Sequence, residues 1–399
     1  MKKIKMIDLA AQNLEIRAEV EAALAEIHQN TAYVGGPQVE AFEREFADYL
    51  GVRHVIGVSS GTDALHLSLR ALSIGAGDEV ITTPMTFIAT TEAILHAGAT
   101  PVLVDVDPLT CNISPAAIRK YLENGRFRTA NGPKAILPVH LYGAPAAMRE
   151  INAIAAQYRL SVVEDACQAH GARVATDRGW VRAGTAGTLG CFSFYPGKNL
   201  GAWGEAGAVA TNDAELAAQI ARLRDHGRIS HYAHADIGYN ARLDALQAAV
   251  LRAKLKRLDR WNERRRAIAT RYCELLADLD LVLPRDPADA ESCYHLFVIR
   301  NAHRDAFRTA LLTAQIECGI HYPIPLHLQS ALKDCGYRHG DFPHSEAVAD
   351  TVLSLPMHPH LTDGEVDRVV EVLDQVARQA APGLDTAEAE VSPAVGREV

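Results

Sequence analysis

Short apolar runs alternate along this chain with stretches in which apolar residues recur every three or four positions. Two amphipathic stretches come first, NLEIRAEVEAALAEI and VEAFEREFADYL, and they predict helices. From His54 the alternation becomes regular. HVIGVSS, DEVITT, TPVLVDVD, AILPVHLYG and LSVVEDAC read as strands, and DALHLSLRAL, TFIATTEAILHAG and AAMREINAIAAQY read as helices. Strands apolar on both faces and separated by helices predict an α/β fold, a mostly parallel sheet covered on both sides. CFSF and GAVAT add two buried strands that flank the segment SFYPGKNLGAWGEAGAV.

After GAVATN the character changes. A helix starts at Asp213, a loop rich in His and Gly follows (DHGRISHYAHADIGYN), and a long charged helix is expected from about Leu243 to Leu276. CYHLFVIR, HRDAFRTALLTAQ and a last helix from about Asp363 to Arg378 predict a smaller α+β domain. The expected division is residues 1–250 for a large domain with the N-terminal helices and 251–380 for a small C-terminal domain that includes the connecting helix. The tail 381–399 lacks periodicity, is rich in Ala, Pro and Glu, and is expected to be disordered.

Composition narrows the classes. A net charge of −9, with both signs mixed along the chain, argues against nucleic-acid binding through a basic face and against a polybasic membrane anchor. The 7 cysteines are scattered and form no CxxC, so reduced, packed thiols are expected in place of a disulfide framework or a metal site. The basic start MKKIKMIDLA runs into a charged helical stretch where a signal peptide would need an apolar core, and no apolar run is long enough to span a bilayer. A cytoplasmic protein is expected.

Four stretches could carry chemistry. In VSSGTDAL, Gly61 and Thr62 lie where a strand gives way to a helix, so free amides and the helix dipole could cradle an anion; alternatively Thr62 only caps the helix. In VVEDACQAHGA an apolar strand delivers Glu164 and Asp165 at its C-terminal end, where ligands bind in open α/β sheets. Asp165 there needs a cationic or N–H partner, though a metal or a helix cap would also serve; His170 reads as a packing histidine. In SFYPGKNLGAWGEAGAV, Lys198 is no P-loop lysine, because Phe192 replaces the first glycine and Asn199 follows the lysine. It is either a solvated loop lysine or a desolvated amine that attacks carbonyls, with Ser193 and the nearby glycines allowing close approach. In DIGYNARLDALQ, Asn240 and Arg242 precede a helix, and Arg242 could fork an anion or form a salt bridge at the helix start. Singly these signals are weak. Their order on a parallel sheet, phosphate turn, strand-end Asp, strand-flanked lysine, supplies the parts of a pyridoxal phosphate site, with the lysine holding the aldehyde as a Schiff base.

With SGTDAL, PMTFIATTEAI, VEDACQAHGA, SFYPGKNLGAWGEAGAV, GYNARLDALQAAVL and HYPIPLHLQ in this order, the sequence resembles the DegT/StrS family of sugar aminotransferases from about Met6 to Ala380. The resemblance implies the aspartate aminotransferase-like fold (type I) and pyridoxal 5'-phosphate as cofactor. It implies that Lys198 binds the cofactor and shuttles the proton, that Asp165 pairs with the pyridine nitrogen, and that Gln168 bonds the 3-hydroxyl oxygen. Gly61, Thr62 and Ser193 would bind the phosphate, Phe87 would lie over the ring, and Asn240 would reach the phosphate of a neighbouring subunit in a homodimer. Tyr195, Arg242, His321, Tyr322 and His327 would line the substrate side. Dehydratase relatives carry histidine at the lysine position, so Lys198 argues against that branch. GEAGA replaces the usual GDGGA or GEGGA, and one methyl at Ala206 is expected to be tolerated. PGKNLGA resembles enzymes that aminate C3 of nucleotide-linked keto sugars with L-glutamate as donor. A C4-keto sugar, a keto-cyclitol, and a non-catalytic regulator that binds the cofactor stand as alternatives.

Overall fold

Seven strands build the main sheet of the computed structural model, which describes residues 3–177 and 179–380; the 381–399 tail lies outside them. They are β1 (His54–Val58), β2 (Glu79–Thr82), β3 (Thr100–Leu103), β4 (Pro133–Ile136), β5 (Ser161–Asp165), β6 (Leu189–Ser193) and β7 (Gly207–Thr211). Their order across the sheet is β1-β7-β6-β5-β4-β2-β3, and all run in one direction except β7, which is antiparallel to both its neighbours. The expected α/β fold with a mostly parallel sheet is therefore present. Strand β7 is reversed for a simple reason. The segment joining it to β6 carries no crossover helix, and a parallel return would need one. That segment holds Lys198.

The pleat sorts side chains to the two faces of the sheet. In β6, Cys191 points toward the helix Gly61–Ala71, where Ser68 Oγ lies 3.2 Å from its sulfur. Phe192 points the other way and meets Phe46 of the N-terminal helix Pro37–Leu50 edge-on, with ring centres 5.2 Å apart. Phe194, just past the strand, does the same at 5.5 Å. Ala206, the family departure, is buried in this same cluster. The amphipathic start of the chain thus covers one end of this face, the crossover helices Pro115–Asn124 and Met148–Tyr158 cover its other end, and the helices Gly61–Ala71, Ala89–His96 and Ala214–Leu223 close the opposite face.

A second core forms around the antiparallel strands Phe297–Arg300 and Val352–Leu355, packed against the helices Leu258–Leu275, Arg304–Thr313 and Asp363–Ala380. Ile4 joins this core from the other end of the chain, pairing with Ile316. The single long helix expected from Leu243 to Leu276 is in fact two, Ala245–Leu255 and Leu258–Leu275. The break has a packing cause. Ala245, Ala248 and Leu251 face the sheet-side core, whereas Ile268, Ala269 and Tyr272 face the second core, and one straight stripe cannot serve both. At the break, Arg257 turns back to donate to Ala253 O at 2.8 Å and also meets Glu19. The fully buried Arg265 then ties the second helix to the small core by donating to Tyr294 O and Met357 O.

The neighbouring carboxylates of β5 have different fates. Glu164 is fully buried and takes hydrogen bonds from Gly184 N (2.8 Å), Gly187 N (2.5 Å) and His140 Nε2 (2.8 Å). Because His140 Nδ1 accepts from Ala146 N, the ring proton sits on Nε2. Glu164 is thus a structural acceptor. Glu164→Ala leaves three buried donors unpaired and should cost roughly 3 kcal/mol or more, read as a lower urea midpoint.

Lys254, 1% exposed on the helix Ala245–Leu255, has no hydrogen-bond partner among the described residues, and burial lowers its pKa from 10.5 to about 8. Below pH 8 the folded chain bears the full cost of a buried charge. Between 8 and 10.5 the unfolded chain binds more protons, so stability rises with pH. Lys254→Met should therefore stabilise the fold by up to roughly 3 kcal/mol at neutral pH. The gain should shrink as denaturation is repeated at rising pH across that window.

Candidate active site

The ends of β1, β2, β5 and β6 open on a cleft of about 710 Å³, closed on its far side by residues 295–296 and 321–322. It lies outside the carboxyl ends of parallel strands, where such sheets bind ligands. Gly61, Thr62, Phe87, Asp165, Gln168, Ser193, Tyr195, Lys198, His321 and Tyr322, ten of the residues singled out in the sequence, line this cleft together.

The turn after β1 is built for close approach. Ser60 is the helix cap, its Oγ accepting from Asp63 N at 3.0 Å. Thr62 is therefore not the cap, and its hydroxyl is left to the cleft with the first amides of the helix Gly61–Ala71. A Cβ on Gly61 would come within 2.5 Å of Ser193 Cβ, so only glycine lets the end of β6 stand against this helix end. Opposite the turn, Asp165 is 5% exposed and held from two sides: Thr90 Oγ1 donates to its Oδ2 at 2.9 Å, and Cys167 N to its Oδ1 at 3.2 Å. Thr86 Oγ1 lies 3.0 Å from Thr90 Oγ1 and can donate to it. Gln168 accepts from Tyr142 N at 2.7 Å and donates to Tyr322 OH at 3.1 Å, which leaves one amide hydrogen unspent.

Lys198 rides on the loop between β6 and β7. Lys198 N donates to Tyr195 O at 2.9 Å, and Ala202 N returns to Phe194 O at 2.7 Å. A Cβ on Gly201 would meet Pro196 O at 2.3 Å, so that glycine closes the turn. Burial pushes the Lys198 amine below the usual lysine range, while Cys167 and Asp165 pull it partly back. Burial and the Lys198 charge together hold His321 below its ordinary value, and burial raises the Tyr322 hydroxyl to about 12. The cleft thus combines a desolvated amine, a pinned carboxylate and a helix end suited to an anion.

Three residues expected at the site lie elsewhere. Arg242 donates to Asp225 Oδ1 (2.8 Å) and to Asn240 Oδ1 (2.9 Å), the salt bridge that was the plainer reading, and both lie outside this cleft. His327 is 2% exposed, with its ring against Phe342 and its Nε2 2.8 Å from Glu346 Oε1; the turn Leu326–Leu328 aims it at the helix Pro343–Thr351. His170 is enclosed between Phe192 and Phe194, as expected of a packing histidine. Sequence reasoning missed Thr90, Cys167 and His295. The threonines of TFIATTEAI and the histidine of CYHLFVIR were the only available signals.

Residues 14–374 match the model of the DegT/DnrJ/EryC1/StrS aminotransferase family. The chain belongs to that family. It is 45% identical to the erythromycin biosynthesis sensory transduction protein EryC1 of Saccharopolyspora erythraea, over 93% of this chain and 98% of that one. It is also 45% identical to a UDP-N-acetyl-3-dehydro-alpha-D-glucosamine 3-aminotransferase of Acidithiobacillus ferrooxidans, over 93% and 97%. Among solved structures, S. venezuelae DesV in complex with a ketimine intermediate superposes with a TM-score of 0.90 at 42% identity, covering 94% of this chain and 99% of that one.

This aminotransferase uses pyridoxal 5'-phosphate, the cofactor of its family. The residues present fit that group. The Gly61 cradle, which a single methyl would fill, gives room and donors for a phosphate, and a lysine amine and a carboxylate converge on the same space. Gly61→Ala should push Ser193 out of place and weaken cofactor binding at least about tenfold, since one lost anion contact costs about 1.4 kcal/mol or more. Titrating the cofactor-free chain with pyridoxal 5'-phosphate, with absorbance as readout, checks this.

Proposed function

We propose that the enzyme moves the amino group of L-glutamate to the C3 keto carbon of a nucleotide-linked deoxy or amino sugar, in the biosynthesis of an amino sugar. The convergence of Lys198, Asp165 and the Gly61–Ser193 turn on one cleft carries this reading. A relative named for 3-amino transfer onto a UDP sugar supports the C3 position.

In this reading Gly61, Thr62 and Ser193 hold the phosphate, Phe87 covers the ring, and Gln168 uses its free amide hydrogen on the 3-hydroxyl oxygen. Asp165, oriented by Thr90 and by Cys167 N, keeps a proton on the pyridine nitrogen. When bound, the cofactor supplies an electron sink that makes the Cα proton of the amino donor acidic. Lys198 anchors the cofactor and, once displaced, takes that proton from Cα and carries it to C4′. Its lowered pKa suits this task, because more of the amine is unprotonated near neutral pH. Tyr195, His321 and Tyr322 orient the sugar.

Residues 1–250 form the cofactor domain in this reading, and residues 251–380 close the cleft. The active unit is a cytoplasmic homodimer. Ile229 (60% exposed), Tyr232 (88%) and Ile237 (92%) stand out on the stretch that leads to Asn240, an apolar patch suited to a second copy. From there Asn240 and Arg242 reach the neighbour's cleft, Asn240 at the phosphate.

Lys198→Ala should abolish turnover and the yellow absorbance of the lysine-bound cofactor. Normal transamination by that variant sinks the assignment. A panel of 3-keto and 4-keto nucleotide sugars and keto-cyclitols, run with glutamate and read by NMR, should place the new amine at C3 of the sugar. An amine at C4 keeps the chemistry and moves the position. A cofactor spectrum that does not bleach with glutamate favours a regulatory role, as the name of the Saccharopolyspora erythraea relative suggests.

A further inference from the structure

Asp165 is fixed at both its backbone and its carboxylate. Asp165 N donates to Pro138 O at 2.9 Å, and Asp165 O accepts from His140 N at 3.0 Å. Each carboxylate oxygen takes a hydrogen bond, Oδ1 from Cys167 N at 3.2 Å and Oδ2 from Thr90 Oγ1 at 2.9 Å. An ionised carboxylate only accepts, so the single proton of the Thr90 hydroxyl is spent on it. Toward Thr86 Oγ1, 3.0 Å away, Thr90 can then only accept. The direction of the relay is thereby set: Thr86 donates to Thr90, and Thr90 donates to Asp165.

All three residues are buried at the wall of the cleft, Thr86 3% exposed, Thr90 1% and Asp165 5%. The two threonines also bracket Phe87. Thr90 N donates to Phe87 O at 3.2 Å, closing the turn that leads into the helix Ala89–His96 and presents the Phe87 ring to the cleft. One turn therefore carries the ring that would cover the cofactor and both hydroxyls behind its aspartate. A hydroxyl that accepts a hydrogen bond donates a stronger one, above all where water is excluded. Donors on a carboxylate favour its ionised form, so a proton shared with a pyridine nitrogen stays on the nitrogen.

We infer, on the reading of Asp165 as the partner of the cofactor's pyridine nitrogen, that Thr86 is a positioning residue for that carboxylate. Through Thr90 it orients and strengthens the hydrogen bond that keeps Asp165 ionised and the nitrogen protonated. Thr86 has no hydrogen bond to Asp165 itself among the described residues, so its whole effect passes through the Thr90 hydroxyl. That dependence separates a relay from simple packing. Thr86 matters to the nitrogen only while Thr90 keeps its hydroxyl.

The test uses holoenzyme loaded with pyridoxal 5'-phosphate carrying 15N in its ring, read by NMR at neutral pH. The wild-type nitrogen should resonate as protonated. Its signal should move toward the unprotonated position in Thr86→Val and further in Thr90→Val. Thr86→Ser, which keeps the hydroxyl, should restore it. Turnover should fall about twofold in Thr86→Val and at least about tenfold in Thr90→Val. In the double variant, Thr86→Val should add nothing to the loss from Thr90→Val. An unmoved nitrogen signal in Thr86→Val, or a double variant that multiplies the two single losses, overturns the inference. A wild-type nitrogen that is unprotonated, or one unchanged by Asp165→Asn, would instead overturn the reading of Asp165 beneath it.

Discussion

Desolvation of one amine organises this molecule. A lysine side chain inside a protein must be neutralised, paired or functional, and here Lys198 shares a cleft with Asp165 while burial holds its amine below the usual lysine range. Holding it there takes a rigid loop. Gly201 allows the chain to fold back on Pro196 O, Ala202 closes on Phe194 O, and Asn199 is clamped to Asn262 and Cys293. The reversal of β7 is part of the same arrangement, because a β–β connection in place of a crossover helix lets the loop hang over the sheet's ligand end.

The period of the strand divides structural from chemical roles. On β5, Glu164 turns to one face and is consumed by three donors, whereas Asp165 turns to the other and faces the cleft. On β6, Phe192 locks the N-terminal helix while Ser193 stands at the helix end beside Gly61. One sequence can build a core and a site within two residues because the pleat keeps them apart. A one-residue slip in either strand would bury the wrong carboxylate and turn a phenyl ring into the cleft.

Local pattern made the alternating strands and helices, the buried strand-end aspartate and the strand-to-helix turn legible in the sequence. Period, burial and strand order are all written within short stretches. Three features were not written there. The break between Leu255 and Leu258 answers to two different cores, which no single-helix periodicity reveals. The orientation of His327 is set by a turn that aims it at Glu346, so its place in HYPIPLHLQ gave no hint that the ring is enclosed. Thr90 and His295 reach the cleft from segments 75 and 97 positions away from Asp165 and Lys198 respectively, and only tertiary packing brings them in.

The placement of Asn240 and Arg242 has a further consequence. In the single chain these residues satisfy one another and Asp225, outside the cleft and beside an exposed apolar stretch. A guanidinium already bonded to a carboxylate gains little from an anion on its own chain, yet a second copy that covers Ile229, Tyr232 and Ile237 would remove water from the pair and strengthen its field. The aminotransferase cleft then draws its amine, its carboxylate and its anion turn from one chain. In the proposed homodimer its outer polar groups would depend on assembly, and cofactor retention and oligomer state would be physically linked.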